Sequence, residues 1–148
     1  MSGLMHPRYV ATVQSSWAAE RVLRYMADFR NAVHWDPSVQ RAVLAGGDGE
    51  SLGSTFDLVV RVGKRVSELR YVISSLTPDS VELTARTRSL ESIDTITVRP
   101  DPDGGSSMEY DARLTFVGVA RLANPILART FRTLGDNARA SLNEKLNA

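Results

Sequence analysis

The sequence contains no cysteine and has no excess of charge of either sign. Without cysteine it forms no disulfide bond, thiol nucleophile or cysteine-ligated metal site, which is typical of a protein from a reducing compartment. Its 18 Lys and Arg residues balance 17 Asp and Glu residues, and a net charge of +1 supplies no broad basic surface for a phosphate backbone. We therefore expect no nucleic acid partner.

Long apolar runs are also missing. No stretch approaches the roughly 18 apolar residues of a membrane span, and residues 1–8 lack the apolar core of a secretion signal. With 148 residues, 43% of them hydrophobic, the chain has the size and composition of one globular domain over residues 1–148. We expect a cytoplasmic protein without a membrane span.

Residues for metal or nucleophilic chemistry are scarce. Only two histidines are present, His6 and His34. His34 lies close to Asp36 in sequence, but two residues on a tight turn need not face each other, and we expect His34 at the surface. P-loop and Gly-x-Gly-x-x-Gly motifs are absent from the sequence. We therefore predict no metal site and no cofactor, and favour a protein that is not an enzyme.

Alternating apolar and polar residues predict a mostly β chain. The predicted strands cover residues 9–14, 39–45, 54–62, 65–76, 80–87, 90–99 and 107–117. Glycine-rich or turn-forming pairs separate several of them, as at residues 46–49 and at Gly63-Lys64. Such short connections indicate antiparallel hairpins.

Two regions have helical periodicity instead. After the first strand, Ser15-Ser16 is predicted to cap a short helix, a second helical turn is predicted over residues 31–35, and Pro37 stops it. A long helix is predicted from Asn124-Pro125 onward. Its apolar side comprises Ala123, Leu127, Phe131, Leu134, Ala138 and Leu142. This side must be covered, and the sheet offers the only apolar face of sufficient size.

This element order and several motifs resemble the START-like, helix-grip superfamily (SRPBCC), in its polyketide cyclase/dehydrase branch. The matching segments include Ala18-Ala19-Glu20-Arg21-Val22, Trp35-Asp36-Pro37-Ser38-Val39, Asp94-Thr95-Ile96-Thr97 and Asn124-Pro125-Ile126-Leu127. The resemblance implies an α+β helix-grip fold: a curved seven-stranded antiparallel sheet wraps around a long C-terminal helix, and two short helices lie between strands 1 and 2. It also implies a cavity that in relatives holds lipids, polyketides, hormones or other apolar molecules. It carries over no catalytic residue.

From this resemblance we predict binding or transport of a small hydrophobic ligand of lipid, polyketide or aromatic type. The predicted ligand-binding residues are Trp35, Phe56, Leu58, Leu69, Tyr71, Asp94, Tyr110, Ala112, Leu127 and Phe131. Two alternatives stay open: a polyketide cyclase or aromatase that uses Asp94 as its base, and a protein-interaction module with a closed cavity. A protein partner, and the choice between monomer and homodimer, also stay open.

The orientation of Asp94 decides between these hypotheses. If Ile96 faces the helix, Asp94 faces it too, and its carboxyl should be partnered or have a raised pKa. The opposite register places Ile93 inside and Asp94 in water, and we favour this second register. The hydroxyls of Tyr71 and Tyr110 either meet a ligand or bond to backbone in the core.

Three further features each allow two interpretations. Trp35 forms either a lid over the cavity or a cover for the core edge. A basic cluster at one hairpin, Arg61, Lys64 and Arg65, either attracts an anionic head group or is a solvated turn, and we favour the turn. Gly135 in the last helix either permits bending or allows a strand to approach closely, and we favour close packing.

Overall fold

The structure is a computed structural model that describes residues 7–116 and 125–148, with side chains described at 7–116 and 129–148. Its strands are β1 (Arg8–Ser15), β2 (Val39–Gly46), β3 (Thr55–Val62), β4 (Arg65–Leu76), β5 (Ser80–Arg86), β6 (Leu90–Pro100) and β7 (Ser106–Phe116). Its helices are α1 (Ala19–Ala27), α2 (Ala32–Trp35) and α3 (Pro125–Lys145), with a 3₁₀ turn at Phe29–Asn31 before α2. The predicted α+β helix-grip architecture is confirmed.

The seven strands form one open antiparallel sheet in the order β1-β7-β6-β5-β4-β3-β2. Five hairpins connect β2 to β7, and only β1 pairs with a strand distant in sequence, which places Val13 opposite Met108. Glycines with positive φ occupy the turns, for example Gly63 at +62° and Gly104 at +94°, where other residues would be strained. Every strand begins and ends within one residue of its predicted boundary.

The inner face of the sheet is apolar and buried, as the alternation predicted. Phe56, Ile73, Leu83 and Met108 are each at most 1% exposed. Helix α1 adds an apolar side to this core through four buried residues, Val22, Leu23, Met26 and Ala27. Burial of these side chains, at about 25 cal/mol per Å² of apolar surface, is the main force that holds helix and sheet together.

Helix α1 does not begin as predicted. Its N-cap is Ala18, which forms no side-chain cap, so the prediction of a Ser15-Ser16 cap is wrong. Ser15 is the last residue of β1, and its hydroxyl donates to the Leu146 carbonyl near the C-terminus while it accepts from the Trp17 N–H at 3.0 Å. The serine thus joins the start of α1 to the end of α3.

Helix α3 lies against β1 and the sheet's inner face. Among the side chains described at 129–148, Ala138 and Leu142 of α3 are buried, and so is Leu146, which lies just beyond the helix and was not predicted. A Cβ at Gly135 would lie 2.5 Å from the Tyr9 ring on β1, which confirms close packing as the reason for this glycine. The predicted capping residue Asn124, together with Ala123, lies outside the described residues. In the chain segments described, we find no helix both long and apolar enough to cross a membrane.

Candidate functional site

A cavity of about 190 Å³ lies between the sheet and α3. Strands β3, β4, β6 and β7 supply one wall, helix α3 supplies another, and the segment from Phe29 to Val39 closes it. From α3 the lining residues are Phe131, Leu134, Gly135 and Ala138. The walls are mostly apolar, with a few polar groups among them, as in many small-molecule sites.

Most of the predicted ligand-binding residues meet at this cavity. The residues that line it are Trp35, Leu58, Leu69, Tyr71, Asp94, Tyr110, Ala112 and Phe131. Phe56 does not line it, because this ring is fully buried in the core beside Phe29, at a centroid distance of 6.4 Å. The side chain of Leu127 lies outside the described residues.

Asp94 faces inward, so the register that we favoured is wrong. Asp94 is 6% exposed and lies opposite Leu83 on β5 and Ala112 on β7, both inward-facing residues. Ile93, on the other face, is only partly buried. The long regular pairing of β6 with both neighbours fixes this register, because a shift by one residue would turn Ile96 and Val98 outward together with Asp94.

The environment of Asp94 favours its neutral form. Burial is the main cause that raises its pKa from 3.8 to about 7, and the charge of Asp36 adds to this effect. A hydrogen bond donated by Tyr110 Oη to Asp94 Oδ2, at 3.0 Å, acts in the opposite direction. None of the described lining residues is Lys, Arg or His, so no cation there compensates the carboxylate.

The two tyrosine hydroxyls bond to side chains and not to backbone. Tyr110 donates to Asp94, and Tyr71 Oη lies 2.9 Å from Ser92 Oγ. Burial is the main cause that raises the pKa of both tyrosines above the ordinary value of 10.0. Both are therefore neutral hydrogen-bonding groups in the cavity wall at physiological pH.

Four of the aromatic rings that line the cavity contact one another in series. Tyr71 contacts Phe29 at a centroid distance of 5.1 Å, Phe29 contacts Trp35 at 6.1 Å, and Trp35 contacts Tyr110 at 5.5 Å. Each contact is edge-to-face, with interplanar angles of 64° to 74°. We name these four residues the aromatic wall.

Trp35 is 1% exposed, so it covers the core, and it also lines the cavity within the segment that closes it. Its indole Nε1 is buried and has no hydrogen-bond partner among the described residues. A buried donor without a partner costs about 1–3 kcal/mol, and native structures contain few of them. Although Trp35 lines the cavity, its Nε1 is not accessible from that space.

Sequence reasoning missed Asp36 and Ser92 as cavity residues. Asp36 follows α2, lines the cavity and accepts from the N–H and hydroxyl of Ser38 at 2.9 and 2.7 Å through Oδ1. Burial raises its pKa above 3.8, although the bonds from Ser38 oppose this. Alternation with Asp94 would have placed Ser92 inside, but no pattern in the sequence indicated burial of Asp36.

The remaining candidates lie outside the cavity. His34 is exposed, as expected. Arg61, Lys64 and Arg65 are exposed at the β3–β4 turn, where Arg61 Nε donates to the Gly63 carbonyl at 3.0 Å. Within residues 7–116 and 125–148 no three His, Asp or Glu residues are placed to hold a metal ion.

Known structures share this fold. The chain is similar to a START superfamily protein from Mycobacterium smegmatis, with 12% identity, a TM-score of 0.76 and coverage of 96% of this chain and 97% of that one. It is also similar to the Zhui aromatase/cyclase from a Streptomyces species, with 11% identity, a TM-score of 0.71 and coverage of 95% and 90%. Major latex-like protein 151 from Panax ginseng matches with 10% identity, a TM-score of 0.69 and coverage of 95% and 97%.

No curated protein matches the sequence. The family model described as "Polyketide cyclase / dehydrase and lipid transport" matches residues 6–146, which is nearly the whole chain. Both the helix-grip architecture and the cavity under α3 agree with that match. The chain therefore belongs to the polyketide cyclase/dehydrase and lipid transport family.

Proposed function

We propose that this protein binds a small hydrophobic molecule in the cavity between the sheet and helix α3. The observation that carries the proposal is the cavity itself, about 190 Å³ of space beneath mostly apolar walls. An apolar cavity of about 150 Å³ is large enough to bind benzene in another protein. The size here suits one aromatic ring with a short side chain, or a compact bicyclic molecule, better than a long acyl chain.

A filled cavity provides the test. In Ala138→Phe a ring replaces a methyl group on the cavity wall, and in Ala140→Phe the same ring is added to an exposed position two residues further along α3. Native mass spectrometry with a library of small aromatic and aliphatic compounds should show adducts for the wild type and for Ala140→Phe. Ala138→Phe should show none while its circular dichroism spectrum remains native.

Two results would contradict the proposal. The first is a wild-type protein that forms no adduct at any library concentration. The second is an Ala138→Phe protein that is folded and retains full binding, because the ligand would then occupy another place. The alternative of an interaction module with a closed, filled interior receives no support from the cavity.

A second candidate function rests on Asp94. A buried carboxylate whose pKa is about 7, placed beside the Tyr110 hydroxyl in a ligand cavity, is suited to remove a proton at neutral pH. The cyclase or aromatase alternative therefore stays a proposal, with Asp94 as the base and the Tyr110 hydroxyl bonded to its carboxylate.

Proton exchange tests this second function without knowledge of the natural substrate. Acetophenone has exchangeable protons next to its carbonyl and is small enough for the cavity. In D₂O, NMR should show that the protein accelerates their exchange, with a rate that rises through an apparent pKa of about 7 and falls to the buffer rate in Asp94→Asn. If exchange is no faster than in buffer, the hypothesis that Asp94 acts as a catalytic base is wrong. The proposal that the cavity binds a ligand would not be affected by this result.

A further inference from the structure

The polar groups of the cavity are arranged so that they favour one charge type of ligand. Asp36 and Asp94 are two carboxylates that both line the cavity, and no described lining residue carries a basic group. Their only described hydrogen bonds go to Asp36 Oδ1, from Ser38, and to Asp94 Oδ2, from Tyr110. Within the described part of the chain, one oxygen of each carboxylate therefore has no donor.

The aromatic wall surrounds the same space. Tyr71, Phe29, Trp35 and Tyr110 all line the cavity and contact one another in series. Aromatic rings attract an organic cation through their quadrupoles, and several rings around one site are a known means of binding ammonium groups. Carboxylates and aromatic rings thus select for the same charge.

We propose that the ligand is a small protonated amine with an aromatic or compact apolar body, and that Asp36, Asp94 and the aromatic wall bind its ammonium group. This inference rests on the proposed function and narrows its ligand class. An anionic ligand such as a fatty acid should be disfavoured, because its carboxylate would be buried beside Asp36 and Asp94 with no cation among the described lining residues.

Asp94 must be ionised when it binds an ammonium group, and its titratable surroundings are limited. Tyr110 on β7, Tyr71 on β4 and Asp36 after α2 face it, and none of the four described α3 residues that line the cavity is titratable. Asp111, on the outer face of β7, is paired with Arg8 and Arg113. Amine affinity should therefore increase as the pH rises through about 7, where Asp94 ionises.

Three probes with one ring system separate the charge types. Tyramine, tyrosol and hydroxyphenylacetate share a phenol ring and differ in a terminal amine, alcohol or carboxylate. Isothermal titration calorimetry at about pH 8, above the Asp94 pKa of about 7, should show tyramine binding at least about tenfold more tightly than tyrosol. This expectation follows from hydrogen bonds to charged groups, worth about 1.5–3 kcal/mol. Hydroxyphenylacetate should show no measurable binding.

Variants locate the preference. Asp94→Asn and Asp36→Asn should each reduce the tyramine preference over tyrosol towards one. Asp57→Asn is the control, because Asp57 is paired with Arg70 on the outer face of the sheet. This substitution should leave all three affinities unchanged. The wild-type comparison stands even if one of the cavity variants folds poorly.

Three outcomes overturn the inference: equal affinity for tyramine and tyrosol, tight binding of hydroxyphenylacetate, or binding of none of the three probes. If native mass spectrometry still shows uncharged apolar adducts in any of these cases, the amine preference is wrong while the proposed binding function holds. If no adduct of any kind forms, both fail.

Discussion

Replacement of Asp94 by Asn should change how stability depends on pH. The folded-state pKa of Asp94 is raised from 3.8 to about 7, so the folded protein holds a proton that the unfolded chain has already released in this range. Folding stability therefore falls as the pH rises from about 4 to about 7, and the loss is complete above the folded-state pKa. Asn cannot ionise, so Asp94→Asn should lack this loss.

The size of the effect follows from the two pKa values. One pKa unit corresponds to about 1.4 kcal/mol, so the full cost of ionising Asp94 is at most about 4 kcal/mol. From about pH 5 to about pH 8 the change covers about two of these units, or about 3 kcal/mol. For a domain of this length that corresponds to roughly 5–10 °C in Tm.

Urea unfolding at these two pH values is the assay, and the measured quantity is the change in the wild-type-to-variant difference. This difference of differences cancels any pH-independent cost of the amide, such as an unpartnered N–H. Carboxylates with lowered pKa, among them Asp57 and Asp111, lose their stabilising contribution only as the pH falls below about 4, outside this window. Asp57→Asn should therefore give the same difference at both pH values.

A wild-type-to-Asp94→Asn difference that stays constant between the two pH values would refute the reasoning. It would mean that Asp94 is ionised in the folded protein throughout this range. The base and amine-binding roles would then lose the neutral-pH titration on which their pH profiles depend, although the inward position of Asp94 would remain.

Three further substitutions test the packing that shapes the cavity. Gly135→Ala gains about 1 kcal/mol of helix propensity, but its Cβ would clash with the Tyr9 ring. The protein should therefore lose a net ~1–3 kcal/mol of stability in urea unfolding, which is the usual cost of overpacking. Tyr9→Ala should relieve the clash. Leu146→Ala removes a fully buried side chain and should cost about 2–5 kcal/mol and lower Tm; an unchanged Tm would show that the C-terminus is not anchored. Asp111→Asn removes the charge that pairs with Arg8 and Arg113. It should lower the free energy of unfolding by about 1–2 kcal/mol at neutral pH, and by little at low pH, where the wild-type carboxyl is protonated.

Strand boundaries and the sheet's inner face were predictable because both depend on local patterns. Alternation placed Leu58, Leu83 and Met108 on the inner face, and all three are buried. The β3–β4 turn was predictable because Gly63 adopts the positive φ that such a turn requires, and glycine is the residue that adopts it most easily. The start of α1 was not predictable, since the Ser15 hydroxyl bonds to the Leu146 carbonyl, 131 residues away in sequence.

The cavity's chemistry resisted prediction for a different reason. Burial of a carboxylate is costly. In the sequence alone, the strand alternation that places Asp94 inside therefore conflicts with the expectation that a carboxylate is exposed. Tertiary context removes the contradiction: β6 pairs with neighbours on both sides, Tyr110 donates to the carboxyl, and protonation at about pH 7 and below lowers the cost. Residues that oppose a local rule are expected where binding or catalysis requires them. The buried carboxylate of Asp94 opposes such a rule, and it lies at the cavity where we place the ligand.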